Sequence, residues 1–436
     1  MLAMKSLLLT VLFAATGLGV FAQKLDRAKD HLAKNKLNEA RTEIDNFLAI
    51  EKNKENSDAW YTKAKVYTAI SLDSTSKSSV PDARKIAMES LKTYTNLEET
   101  NVKDSAKRYM MLTVDRRQTL VDLYSSYSKD AAAFYNANNF NDALTNFKSS
   151  LDVFDFMASK GWTEGAKLDT TTTLYAGISA EKANKMDEAA IYYGKIAESK
   201  AKSEGFVEIY KWLADYYKRK EDFTSATKYL NLGKEVYPED LFWAGFELDM
   251  LREGGAKDSL FTKYEQAVKE HPENHLFSFN YAVELYQAGY NADSAQRPAN
   301  SVELIDRAIA QLENTLKISP DYANANLVLG QIYYNQGVDI SNVNKGIRPP
   351  SGGKLKPEQL KQKEQLRADM NKKYDKALEY FKLVDKAYGT MGKLKSEQKG
   401  FLKETYDLMI SIYEQRQDNE NVTAYSEKFN NVDKVH

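Results

Sequence analysis

The sequence predicts an all-α solenoid built from about eight or nine stacked helix pairs. Three observations carry this. After residue 23, Ala, Leu, Lys, Glu and Tyr recur at spacings of three and four, with no sustained period-2 run. The periodic stretches last about 12 to 15 residues and break at Asn, Gly or Pro. Pro238 and Pro272 lie 34 residues apart, and each ends a helix before a polar helix start, Glu239-Asp240 and Glu273-Asn274. Pro320-Asp321-Tyr322 repeats the theme.

Composition narrows the function class. The 436 residues carry 61 Lys+Arg against 62 Asp+Glu, a balance that argues against a dedicated nucleic-acid binder. At 42% hydrophobic and 28% charged, the chain is not a disordered one. With no Cys, disulfides, thiolate metal sites, a Cys nucleophile and a lipidated Cys anchor are all excluded.

Residues 1–22 read as a secretory signal. Lys5 precedes an apolar centre from Leu7 to Phe13, and Val20-Phe21-Ala22 fits the cleavage rule, leaving Gln23 as the new N-terminus. The expected mature chain, 23–436, is one repeat array that is periplasmic or secreted and not a lipoprotein. No later segment is long and apolar enough to cross a bilayer.

The units follow in order. Ala40 with Ile44 and Phe47 marks the first, and Trp60, Ala64 and Tyr67 open the next, its second helix resuming at Asp82-Ala83. Tyr127, Ala131 and Phe134 precede Ala143, Phe147 and Ser150, and Gly177 and Ala180 precede Ala189, Tyr193 and Ile196. The most regular unit, Val207 to Pro238, places Tyr210, Ala214, Tyr217, Ala226, Leu230, Gly233 and Pro238 at positions 4, 8, 11, 20, 24, 27 and 32. Leu329-Gly330 and Tyr333 pair with Ala377, Phe381 and Val384, and Tyr406, Ile410 and Tyr413 begin a last unit.

This pattern resembles the tetratricopeptide (TPR) repeat over nearly the whole mature chain. Small residues let two antiparallel helices approach, and large ones fill the space beside them. One pair cannot bury its apolar face alone, so it stacks on the next. Many of the 28 Tyr fall at the large positions, where packing between helices is their expected role.

Insertions interrupt the phase near 70–81, 290–300 and 338–372. In the last, Gly346 to Gly353 reads as an irregular loop, and Pro357 opens a helix of about 32 residues ending at Tyr388. Residues 338–403 hold 16 Lys+Arg and 8 Asp+Glu, leaving the rest of the mature chain acidic. Lys345, Arg348, Lys354 and Lys356 form the candidate basic patch, suited to an anionic surface or an acidic protein.

No catalytic constellation emerges. His271 and His275 are spaced like metal ligands, but Pro272 separates them at a turn. Gly352-Gly353-Lys354-Leu355 lacks the Gly and Ser/Thr of a phosphate loop, and no Gly-x-Ser-x-Gly elbow is present. No cofactor or metal is expected.

The resemblance implies a concave groove lined by positions 2, 5, 9, 12 and 13 of each first helix. Mapped onto this chain, it gives Tyr135, Lys211, Phe242, Phe279, Tyr286, Leu327 and Tyr334 as partner-binding candidates. Asp215 stands where carboxylate-gripping members have Asn. The implied function is a non-catalytic protein–protein interaction scaffold or assembly adaptor in the cell envelope, binding peptide segments of protein partners. The alternative is a module for an envelope glycan or small ligand, with Tyr and Trp as stacking faces.

Overall fold

The computed structural model describes residues 24–101, 117–349 and 353–436. The expected signal at 1–22 lies outside them, as do residues 350–352 of the expected loop. The fold is the all-α, TPR-like solenoid of helix pairs that the sequence predicts. Nine pairs are present among the described residues. They are 24–33 with Leu37–Leu48, Ser57–Leu72 with Ala83–Asn101, Arg117–Asn136 with Phe140–Ser159, and Thr170–Lys182 with Met186–Glu198. Val207–Arg219 with Phe223–Val236, Phe242–Glu253 with Lys257–Glu270, and His275–Gly289 with Ser301–Ile318 follow. Ala323–Gly346 with Pro357–Tyr388 and Ser396–Gln415 with Asn419–Val435 complete the set.

Six pairs share one device at the turn between their helices. Asn35, Asn138, Asn184, Glu221, Gly255 and Gln417 all sit at φ between 54° and 70°. This left-handed conformation reverses the chain in three residues. In five of the six, the next residue's N–H reaches back to a carbonyl five positions earlier: Lys36 to His31, Asn139 to Phe134, Lys185 to Ala180, Asp222 to Tyr217 and Asp418 to Tyr413. Asn139, Asp222 and Asp418 then cap the second helix, their side chains accepting from Asp142, Ser225 and Asn421 N–H groups.

The three pairs without this device are the ones carrying insertions. Residues 73–82, 290–300 and 347–356 stand in place of the short turn. The last insertion differs from expectation. Residues 338–346 continue the first helix and 357–372 belong to the second, so among the described residues only 347–349 and 353–356 are irregular. The second helix runs Pro357–Tyr388, as its spacing predicts.

The chain divides into a unit ending at Trp243 and a unit beginning at Ala244. In the first, a core from Leu25 to Met157 joins the first three pairs. Ala214 and Ala226, the small positions of the most regular pair, are fully buried. In the second, one core runs from Leu248 to Val432.

Tyrosines lock successive pairs together within each unit. Tyr67 donates to Asp45 at 2.6 Å, Tyr281 to Glu265 at 2.8 Å, Tyr406 to Asp385 at 2.6 Å, and Tyr216 to Asp187. Each carboxylate lies on the second helix of the preceding pair. The ring supplies buried apolar area, and the hydroxyl meets a charged acceptor at the rim, where burial is incomplete.

Candidate functional site

A well-formed concavity lies in the first unit. It is a groove of about 750 Å³, lined by Lys29, Leu32, Ala33, Asp58, Tyr61, Thr62, Lys65, Thr68, Ala69, Leu72, Thr119 and Asp122. All twelve belong to the first helices of pairs one to three or their last turn.

The repeat geometry explains the lining. With Trp60 at position 4 of its unit, positions 2, 5, 9, 12 and 13 are Asp58, Tyr61, Lys65, Thr68 and Ala69. All five line the groove. Sequence reasoning placed Trp60, Ala64 and Tyr67 in register but did not carry the count to the groove face. The signal was present in the spacing.

The groove is mixed in chemistry. Lys29 Nζ meets Asp58 at 2.5 Å, and Lys65 Nζ lies 5.6 Å from the centroid of the Tyr61 ring. The Tyr61 ring in turn packs on Tyr94 at 5.3 Å. Thr68 is 4% exposed, and its buried Oγ1 has no hydrogen-bond partner among the described residues. Leu72 is 53% exposed at one end. Such a surface offers apolar contact, both signs of charge and hydrogen bonding, as an extended polypeptide requires.

The seven residues predicted for the groove are distributed differently. In the first unit, Tyr135 packs edge-on against Phe140 and Tyr175, each at 5.6 Å. Lys211 and Phe242 come together, the Lys211 Nζ lying 5.6 Å from the ring centroid. The same ammonium pairs with Asp240 at 2.7 Å and Glu208 at 3.0 Å. Burial works against its charge, but these two carboxylates more than offset that and raise its pKa.

In the second unit, Leu327 is 4% exposed and belongs to the core, so it offers no surface to a partner. The helix Ala323–Gly346 is packed on more than one side, and a count of positions alone does not reveal that. Phe279 packs edge-on against Tyr322 at 5.1 Å. Tyr286 stacks on Tyr290 at 5.1 Å, and its hydroxyl accepts from Asn335 Nδ2 at 2.7 Å. Tyr334, the neighbour of Asn335 in sequence, lies 5.9 Å from the Tyr374 ring. These aromatic groups already have ring partners.

The Trp rings are likewise engaged. Trp243 is 2% exposed and donates Nε1–H to the Tyr237 carbonyl at 2.8 Å, and Trp212 stacks on Tyr216 at 4.9 Å. Trp60 donates to the Lys54 carbonyl at 2.8 Å. His271 and His275 contact different rings, Phe277 and Tyr322. No cluster of three or more potential metal ligands occurs among the described residues, and none of the described helices is long and apolar enough to cross a membrane.

The basic candidates Lys345, Arg348, Lys354 and Lys356 are all exposed and stand around the third insertion. Gln359 holds its two ends together. Its Oε1 accepts from the Lys356 N–H at 2.9 Å and its Nε2 donates to the Arg348 carbonyl at 3.1 Å.

No family model and no curated protein matches the chain. Among solved structures, a TPR repeats protein from Bacteroides fragilis is 15% identical, with 65% of this chain and 98% of that one covered, at a TM-score of 0.24. The TPR domain of P58(IPK) is 12% identical over 89% of this chain and 98% of its own, with a TM-score of 0.24. Yeast Tom70 is 13% identical over 94% and 99%, with a TM-score of 0.25. At these scores the fold assignment rests on this chain's own helix pairs and the turns within them.

Proposed function

We propose that the protein is a non-catalytic interaction scaffold or assembly adaptor of the cell envelope, exported by the signal at 1–22 and cleaved after Ala22. It holds an extended segment of a protein partner in the groove of the first unit. The observation that carries this reading is the coincidence of Asp58, Tyr61, Lys65, Thr68 and Ala69 with the groove face of their repeat. The aromatic stretch from Phe242 to Tyr334 is secondary, because its rings are occupied by one another and by neighbouring helices.

A photo-reactive residue in place of Lys65, in the chain expressed in its own cell, tests the reading. It is expected to crosslink a small set of defined proteins. The same probe at Ile191, 60% exposed and outside the groove, is expected to miss them. Identical adducts from both positions would remove the groove from the argument. Mass spectrometry of the mature N-terminus tests export separately; Gln23 is the expected first residue.

A further inference from the structure

The pair Ala323–Gly346 and Pro357–Tyr388 is longer than the others, at 24 and 32 residues. Its base is ordinary repeat packing. Phe381 lies against Gly330 and Tyr374 against Gly337. Beyond Tyr374 the character changes. No residue of the second helix from Pro357 to Lys373 is buried, and the last buried residue of the first helix is Ser341. The distal turns form an arm with almost no core of its own.

Packing is therefore not what maintains this arm. Polar bonds hold its two helices in register. Asn344 Nδ2 donates to the Lys363 carbonyl at 2.9 Å, and Lys363 Nζ donates to the Asn344 carbonyl at 2.7 Å. Gln359 ties Arg348 to Lys356 at the tip. Between residues 344 and 363 stand Lys345, Arg348, Lys354, Lys356, Lys361 and Lys363 against the single acid Glu358. Among the described residues, Lys345, Arg348, Lys354, Lys356 and Lys361 have no carboxylate at ion-pair distance. Elsewhere in the chain cations are commonly paired, as Arg297 is with Asp339 and Lys428 with Asp385.

Two apolar side chains accompany these cations into solvent. Val343 is 56% exposed and Leu360 is 49% exposed. Unpaired cations interleaved with exposed aliphatic groups match a layer that is anionic outside and apolar just beneath. An acidic polypeptide would satisfy the charges but leave no reason for the aliphatic groups. The rest of the mature chain is net acidic, so an anionic surface repels it and meets the arm first.

We propose that the exposed cations of this arm, Lys345, Arg348, Lys354, Lys356 and Lys361, dock on anionic lipid headgroups, giving the protein a peripheral membrane contact in addition to its groove. The test is co-sedimentation of the full chain with phosphatidylcholine vesicles, with and without phosphatidylglycerol. The expected result is sedimentation only with phosphatidylglycerol, reversed by added salt. The variant combining Arg348→Glu, Lys354→Glu, Lys356→Glu and Lys361→Glu is expected to bind at least about tenfold more weakly, with its helical circular dichroism unchanged. A control carries the same charge change at exposed Lys85, Lys92, Lys167 and Lys185 and is expected to retain binding. Equal loss in variant and control, no binding to either vesicle, or binding to soluble polyglutamate but not to vesicles would each overturn the proposal.

Discussion

Gly330 faces the Phe381 ring so closely that a Cβ at that position would lie 2.4 Å from Cε1 of the ring. Two turns further along the same helix, Gly337 stands against Tyr374 in the same way, again at 2.4 Å. The small residue is thus a socket for an aromatic ring on the partner helix. Gly177 against Tyr193 repeats it in the first unit at 2.5 Å.

Gly330→Ala and Gly337→Ala are each expected to destabilise the protein by roughly 1–3 kcal/mol through overpacking, although alanine favours the helix. Gly400→Ala is the control. It is exposed, sits inside Ser396–Gln415 and has nothing within 4 Å of its would-be Cβ, so it is expected to stabilise by about 0.5–1 kcal/mol. Urea unfolding monitored by circular dichroism compares the three. Equal midpoints would refute the socket.

The left-handed turns carry a cost where the residue is neither Gly nor Asn. Glu221 sits at φ 60° and Gln417 at φ 58°. Replacing either with Gly removes the Cβ strain and is expected to stabilise by about 1 kcal/mol. Glu221→Ala keeps the strain and is expected to bring no such gain. A higher melting temperature for both Gly variants is the check.

The tyrosines make stability sensitive to alkali. Burial pushes the phenols of Tyr192, Tyr210, Tyr281, Tyr380 and Tyr425 up to about 12. In the unfolded chain they titrate near 10. Between those values the unfolded state has shed protons that the folded state keeps, so stability falls as pH rises through this window. Unfolding free energies measured in urea should therefore show no tyrosine effect at neutral pH and a steep decline above about 10. Absorbance of the phenolate should rise together with the loss of helicity.

Tyr286 and Tyr61 should respond differently to truncation. Tyr286 is packed on Tyr290 and bonded to Asn335, so Tyr286→Ala is expected to cost about 3 kcal/mol or more of stability. Tyr61 lines the groove, and Tyr61→Ala in the chain that carries the probe at position 65 is expected to abolish the crosslinked partners while helicity is retained. Loss of those partners in the Tyr286 variant alone would move the binding site to the second unit.

Much of the fold was legible because its cause is periodic. The helix Pro357–Tyr388, the regular unit from Val207 to Pro238 and the restart at Ala83 all follow from apolar spacing and helix-start chemistry. Leu327 was misjudged because position in a repeat specifies a face, whereas burial depends on what neighbouring helices cover it. The extension of both helices through the third insertion was half visible. Spacing announced the second helix, while Ser341-Asn342-Val343-Asn344 has little apolar period to announce the first. The groove face of the first unit is legible in the register of Trp60, which places Asp58, Tyr61, Lys65, Thr68 and Ala69 on it.

Arg297 reaches out of the second insertion and grips Asp339 with both arms of its guanidinium, at 2.8 and 3.0 Å. In a linear array, adjacent elements melt together only as far as their mutual coupling compels them. This fork adds a coupling between the pair His275–Gly289 with Ser301–Ile318 and the pair that follows it. It reinforces, at the rim, the shared core that already joins the two against sub-global opening. Amide exchange should then be slow in both pairs alike, and Arg297→Ala should speed exchange around the second insertion while the shared core keeps both pairs folded.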